Sequence, residues 1–101
     1  MSRKLFAVLT ERGPNWDDGK PMEGQPDWRA HADYMNALVA EGVILLGGPL
    51  VGTRDVLLIV RAESEEEARA RLGDDIWVAR GVLRQRQVTP WWVRLSTFDA
   101  T

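Results

Sequence analysis

Cysteine is missing from this chain of 101 residues, which excludes a disulfide framework, a thiolate metal site and a cysteine nucleophile together. The same absence fits a reducing compartment. Histidine is almost as scarce, with one residue, His31. A single imidazole without thiolates builds a transition-metal site only with several carboxylates, and none cluster here at ligand spacing, so no metal is expected. Long apolar runs are absent too: no segment approaches the ~20 residues of a membrane span. Leu5 to Leu9 follows a basic opening, Met1-Ser2-Arg3-Lys4, but is shorter than the ~7–15 residues of a signal core. Thr10-Glu11-Arg12 closes it. A cytoplasmic protein with no membrane partner is the expectation. Excess positive charge is lacking as well. Thirteen basic residues against fifteen acidic ones give a net charge of −2 and a pI near 5.3, whereas nucleic acid calls for a concentrated basic surface. Arg80, Arg84, Arg86 and Arg94 are spaced along a strand and its end, the pattern of a solvated face. No serine has a nucleophile-elbow context, and Gly47-Gly48 lacks the further glycines and lysine of a phosphate-cradling loop.

What is present is an ordinary globular balance, 45% hydrophobic and 28% charged, sufficient for one domain over residues 1–101. Lys4 to Thr10 reads as a strand apolar on both faces, as in a central strand covered on both sides. Residues 11–27 form a long loop rich in turn formers, among them Gly13, Pro14, Gly19, Pro21, Gly24 and Pro26. Long loops of this kind in compact domains are often functional. It carries Trp16 and Met22, which fit either a surface excursion with an aromatic anchor or a lid over a pocket. Trp28 to Glu41 is a helix, with Trp28, His31, Ala32, Met35, Leu38 and Val39 in one stripe. Asp27 suits its N-cap and Gly42 the left-handed position beyond its end.

Val43 to Leu46 predicts a second strand, interrupted by Gly47-Gly48-Pro49, and Val56 to Val60 a third, after a turn at Gly52 to Asp55. Ser64-Glu65-Glu66-Glu67 is a capping-box pattern. The helix it opens carries Glu65–Arg69 and Glu67–Arg71 pairs and stops at Gly73. Asp74 to Gly81 reads as an irregular turn, Val82 to Val88 as an edge strand, and the chain ends in an aromatic extension with a tail at 96–101. Strand, helix, strand, strand, helix, strand makes a ferredoxin-like βαββαβ α+β fold with both helices on one side of an antiparallel sheet. The strands are apolar on both faces while helices cover one, so the other face most simply packs on a second copy of the chain.

For chemistry, His31 stands out because it interrupts an apolar stripe. A buried lone histidine is most often a satisfied structural group. It becomes a base when a carboxylate fixes its tautomer. Asp74 and Asp75 lie where the chain returns toward the first helix, and either also suits a plain turn cap. Trp28 and Trp77 read as core; Trp91 and Trp92 suit dimer contacts or pocket walls.

His31-Ala32-Asp33-Tyr34-Met35, Gly42-Val43-Ile44-Leu45-Leu46-Gly47-Gly48-Pro49-Leu50, Asp75-Ile76-Trp77-Val78-Ala79-Arg80-Gly81-Val82-Leu83 and Pro90-Trp91 together resemble the YCII-related (YciI-like) family. The likeness runs from about residue 28 to 95, plus the opening strand. It implies a dimeric α/β barrel, two ferredoxin-like sheets face to face, and a His–Asp dyad in a pocket. His31 corresponds to the family histidine and Asp75 to the aspartate of its Asp-Pro-aromatic turn. Trp77 is the aromatic, Gly81 the glycine, and Ile76 stands where proline is usual, which leaves Asp74 as an alternative partner. On this reading the protein is a cofactor-independent enzyme of small molecules, using lyase, isomerase or dehalogenation-type proton chemistry. His31 is its acid/base and Asp75 the orienter; Gly47, Gly48 and Pro49 form the pocket floor and Trp77 a wall. The rival is a non-catalytic module that binds a small ligand or serves dimerisation.

Overall fold

The computed structural model describes residues 4–97. The basic opening before Lys4 and most of the tail at 96–101 lie outside the described residues. Four strands, β1 (Lys4–Arg12), β2 (Ile44–Pro49), β3 (Asp55–Ala62) and β4 (Leu83–Pro90), form one sheet in the order β2-β3-β1-β4. Every neighbouring pair is antiparallel. Helices α1 (Trp28–Ala40) and α2 (Glu65–Gly73) supply the crossovers, and a single helical turn, α3 (Ile76–Ala79), precedes β4. This is the expected ferredoxin-like α+β arrangement.

The two-residue period of the strands decides the layers. Phe6 and Val8 of β1 pair with Val60 and Leu58 of β3. All four point to the helix side, where they meet Leu38 of α1 and Ala68 and Leu72 of α2 in one core. The alternate residues Leu5, Ala7, Leu9, Leu57 and Ile59 occupy the helix-free face. Leu46 joins them there through a register shift in β2, with 53% of its surface exposed. At the far end of that face Glu11 is hydrogen-bonded by Arg84, and Asp55 by Arg86. The Arg84 hydrogen bond, helped by the charges of Arg84, Arg86 and Arg54, holds the Glu11 carboxyl below its usual range. Its contribution is therefore present at neutral pH and lost as acid protonates it. Among the described residues no helix is long and apolar enough to cross a membrane.

Several local expectations are corrected. The strand at Val43 does not break at the glycines: β2 continues through Gly47, Gly48 and Pro49. It is an edge strand, so the missing proline N–H costs no inner ladder bond. Gly47 is needed there because a Cβ would stand 2.4 Å from Leu58 Cδ2 and 3.1 Å from the Leu57 carbonyl. Asp27 does not cap α1 with its side chain. Its backbone is left-handed (φ 61°), and its carboxylate pairs with Arg80 at 3.2 Å instead. In α1, Val39 is 51% exposed, and Tyr34 takes the inward place, donating its hydroxyl to the Arg71 carbonyl at 2.6 Å. Ser64 does accept from the Glu67 N–H, but Glu67 accepts from Glu63 rather than from Ser64. Arg71 then turns to Glu41, the C-cap of α1, at 2.7 Å, which raises its pKa and links the two helices. Asp74 to Gly81 is not irregular throughout; it contains α3, capped by Asp75.

Candidate active site

His31 is the fourth residue of α1 and Asp75 precedes α3, 44 positions later in the chain. Between α2 and α3 the chain is extended at Asp75 alone (φ −65°, ψ 132°), which turns its side chain back over the new helix. One carboxylate oxygen accepts the Trp77 backbone N–H at 3.2 Å, a side-chain N-cap. The other lies 2.7 Å from His31 Nδ1. Both residues are buried, at 8% and 2% exposure. Asp74 is exposed, so of the two candidate partners Asp75 is the one at the imidazole. Isoleucine in place of the family's proline does not prevent the turn, because the Asp75 cap already organises it.

The indole of Trp77 fixes the plane of the imidazole. The rings stack with centroids 3.7 Å apart and planes 7° apart. Trp77 itself is 1% exposed and donates its ring N–H to the Pro26 carbonyl at 2.6 Å. That bond ties α3 to the approach of α1. Trp16 meets Trp77 edge-on and Trp28 meets it at a tilt, both at 5.7 Å; such pairs add about 0.5–1.5 kcal/mol beyond the area they bury.

The loop over residues 13–27 closes against this cluster. Gly13 and Asn15 donate backbone N–H groups to the carbonyls of Val82 and Gly81. The approach is so close that a Cβ on Gly13 would stand 2.2 Å from the Gly81 oxygen. Farther along, the buried Gln25 side chain donates to the carbonyls of Asp17, Lys20 and Pro21 and accepts from the Asp17 N–H. Of the two readings of the loop, the structure therefore has it packed on the site, with Trp16 and Met22 turned inward.

Between helices, loop and sheet lies a cavity of about 440 Å³. His31, Asp75 and Trp77 line it on the helix side, and Gly47, Gly48 and Pro49 on the sheet side, so all six sequence-nominated residues meet around one space. With Nδ1 facing a carboxylate, the neutral imidazole carries its proton on Nδ1 and presents a lone pair at Nε2. Among the described residues no protein group bonds Nε2, and no fully enclosed side-chain nitrogen or oxygen lacks a partner, so Nε2 opens to the cavity. No group of three His, Asp or Glu side chains converges among the described residues. Thr10, Arg12 and Arg54 also border the cavity, and sequence reasoning did not single them out. Thr10 had a signal: it continues the Phe6–Val8 alternation with a hydroxyl where a core side chain is due.

The model of the YCII-related domain matches residues 5–92 of the chain. No curated protein and no solved structure matches it.

The shared carboxylate leads to a test that separates the neighbouring aspartates. Asp75→Ala removes the α3 cap and the partner of a buried imidazole, and should cost about 2–4 kcal/mol. Asp74→Ala should change stability by less than about 0.5 kcal/mol. Urea denaturation of both variants measures the difference, and equal costs would contradict the assigned roles.

Proposed function

Because the chain belongs to the YCII-related domain family, we propose that it is a small-molecule enzyme in which His31 acts as general base and acid and Asp75 orients it. The observation that carries the reading is the 2.7 Å His31–Asp75 contact with Nε2 facing a cavity of substrate size. His31 Nε2 takes a proton from an acidic C–H or O–H of the bound molecule, leaving the electron pair on the substrate. The imidazolium that forms is stabilised by the Asp75 carboxylate, which accepts the hydrogen bond from Nδ1. The imidazolium, which can exchange its proton with solvent, then protonates a different substrate atom, giving isomerisation, or a departing group, giving elimination. Trp77 keeps the ring from rotating during both transfers, and the apolar walls limit competing water. Every step is proton transfer, so the chemistry requires no cofactor, and the cysteine-free sequence suits a cytoplasmic setting.

The functional unit we propose is a homodimer. On the helix-free face Ala7, Leu9 and Leu57 are half-buried and Leu46 is exposed, beside the buried Leu5 and Ile59, and exposed apolar surface marks interaction sites. A second copy of the same sheet is complementary to it by symmetry. Sedimentation at micromolar concentration should give about twice the 11.4 kDa chain mass. A monomer there removes the barrel arrangement.

Catalysis is tested by hydrogen–deuterium exchange at the α-carbon of small cyclic ketones and lactones, with and without a carboxylate substituent, followed by NMR in deuterated buffer. The native protein should accelerate exchange of at least one, and His31→Asn should reduce the acceleration about 10²–10⁴-fold with the fold intact. Acceleration that survives His31→Asn, or none with any compound of the panel, rejects the reading in favour of a binding module.

A further inference from the structure

Besides the dyad, the cavity is bordered by a pair of arginines, one of which, Arg12, lies 4.7 Å over the Trp16 ring. Arg12 at the end of β1 and Arg54 just before β3 both line the cavity, and the Arg12 N–H donates to the Arg54 carbonyl at 3.0 Å, which sets the two side by side. Between their guanidinium groups stands a single carboxylate oxygen, Asp18 Oδ1, 3.0 Å from Arg54 Nη1 and 4.0 Å from Arg12 Nη1. Asp18 belongs to the loop and is 68% exposed, so its hold is weak. The other charges at the cavity are accounted for differently. Lys20 pairs with Asp17, Asp55 with Arg86, and Asp75 with His31, while Glu23 is exposed at the edge. Thr10 adds a third anchor. It is 3% exposed and lines the cavity, and its hydroxyl bonds no protein group among the described residues. Since no fully enclosed polar side-chain atom there lacks a partner, that hydroxyl faces the cavity.

We propose that the cavity takes a small apolar carboxylate, whose anionic group replaces Asp18 between Arg12 and Arg54. The Thr10 hydroxyl bonds an oxygen of the same molecule, and its apolar body lies against Met35, Val56 and Leu58. Asp18 is the internal competitor, a carboxylate of the chain resting where the ligand's carboxylate goes. This names the substrate class for the dyad, and rests on the reading above only in placing the reacting atom at His31.

Cyclohexanecarboxylate and its neutral amide are a matched probe pair, transparent where the tryptophans at the site report binding. In fluorescence titrations the acid should bind about tenfold more tightly than the amide, because charged partners roughly double hydrogen-bond strength. Arg54→Gln should bring the two within about threefold, and Asp18→Asn should tighten the acid about threefold without changing the amide. Thr10→Val should weaken both. Equal binding of acid and amide, no binding of either up to solubility, or an acid affinity indifferent to Asp18→Asn would overturn the proposal. His31→Asn keeps the acid preference if the site is as described, so a native protein that shows the preference but accelerates no proton exchange sinks only the dyad's catalysis.

Discussion

The Asp75 carboxylate accepts from two donors that belong to different parts of the fold, and much of the site depends on that double use. By capping α3 it positions Trp77, whose indole stacks on His31 and bonds the carbonyl before α1. By accepting from His31 Nδ1 it also fixes the imidazole from the edge. The histidine is thus held in plane by an aromatic face and in rotation by a hydrogen bond. Its remaining nitrogen is the one polar atom of the ring left for the cavity. A carboxylate buried this deeply is costly unless it is fully hydrogen-bonded, and its two partners meet that condition.

Around this clamp the fold builds a cavity bordered by two unlike sets of polar groups. The dyad lies against the aromatic cluster, whereas Arg12 and Arg54 line the cavity where β1 ends and β3 begins, with the Arg12 guanidinium over the Trp16 ring. The loop serves both: Trp16 and Met22 close on Trp77, and Asp18 sits on the arginines. The sheet itself is thin at the cavity floor because Gly47 has no side chain to raise against Leu58. A base and a cationic pair bordering one largely apolar cavity favour a ligand that carries its charge on a group other than its reacting atom.

The strand and helix order was legible because it rests on periodicity, and the core face of β1 and β3 follows from alternation alone. The histidine was legible as a polar interruption in an apolar stripe, and the aspartate only to within one position. Which of Asp74 and Asp75 faces the ring depends on where α2 ends and α3 begins, a single extended residue that no pattern marks. Asp27 misled because its left-handed backbone directs the carboxylate to Arg80, and residue type does not report dihedral angle. Val39 misled because the stripe tracks hydrophobicity, whereas Tyr34 gained its inward place through a hydroxyl bond to another helix. Gln25 and the arginine pair were invisible for a common reason: their partners are backbone groups and side chains of loops, distant in sequence and without period.

Because the chain holds one histidine, the proposed chemistry rests on the state of one ring. Long-range proton–nitrogen NMR of protein labelled at His31 reads the tautomer directly at a pH where the imidazole is neutral. A proton on Nδ1, an unprotonated Nε2, and a loss of that preference in Asp75→Asn are expected. A proton on Nε2 in the native protein, or a tautomer that ignores the Asp75 substitution, would contradict the proposed chemistry.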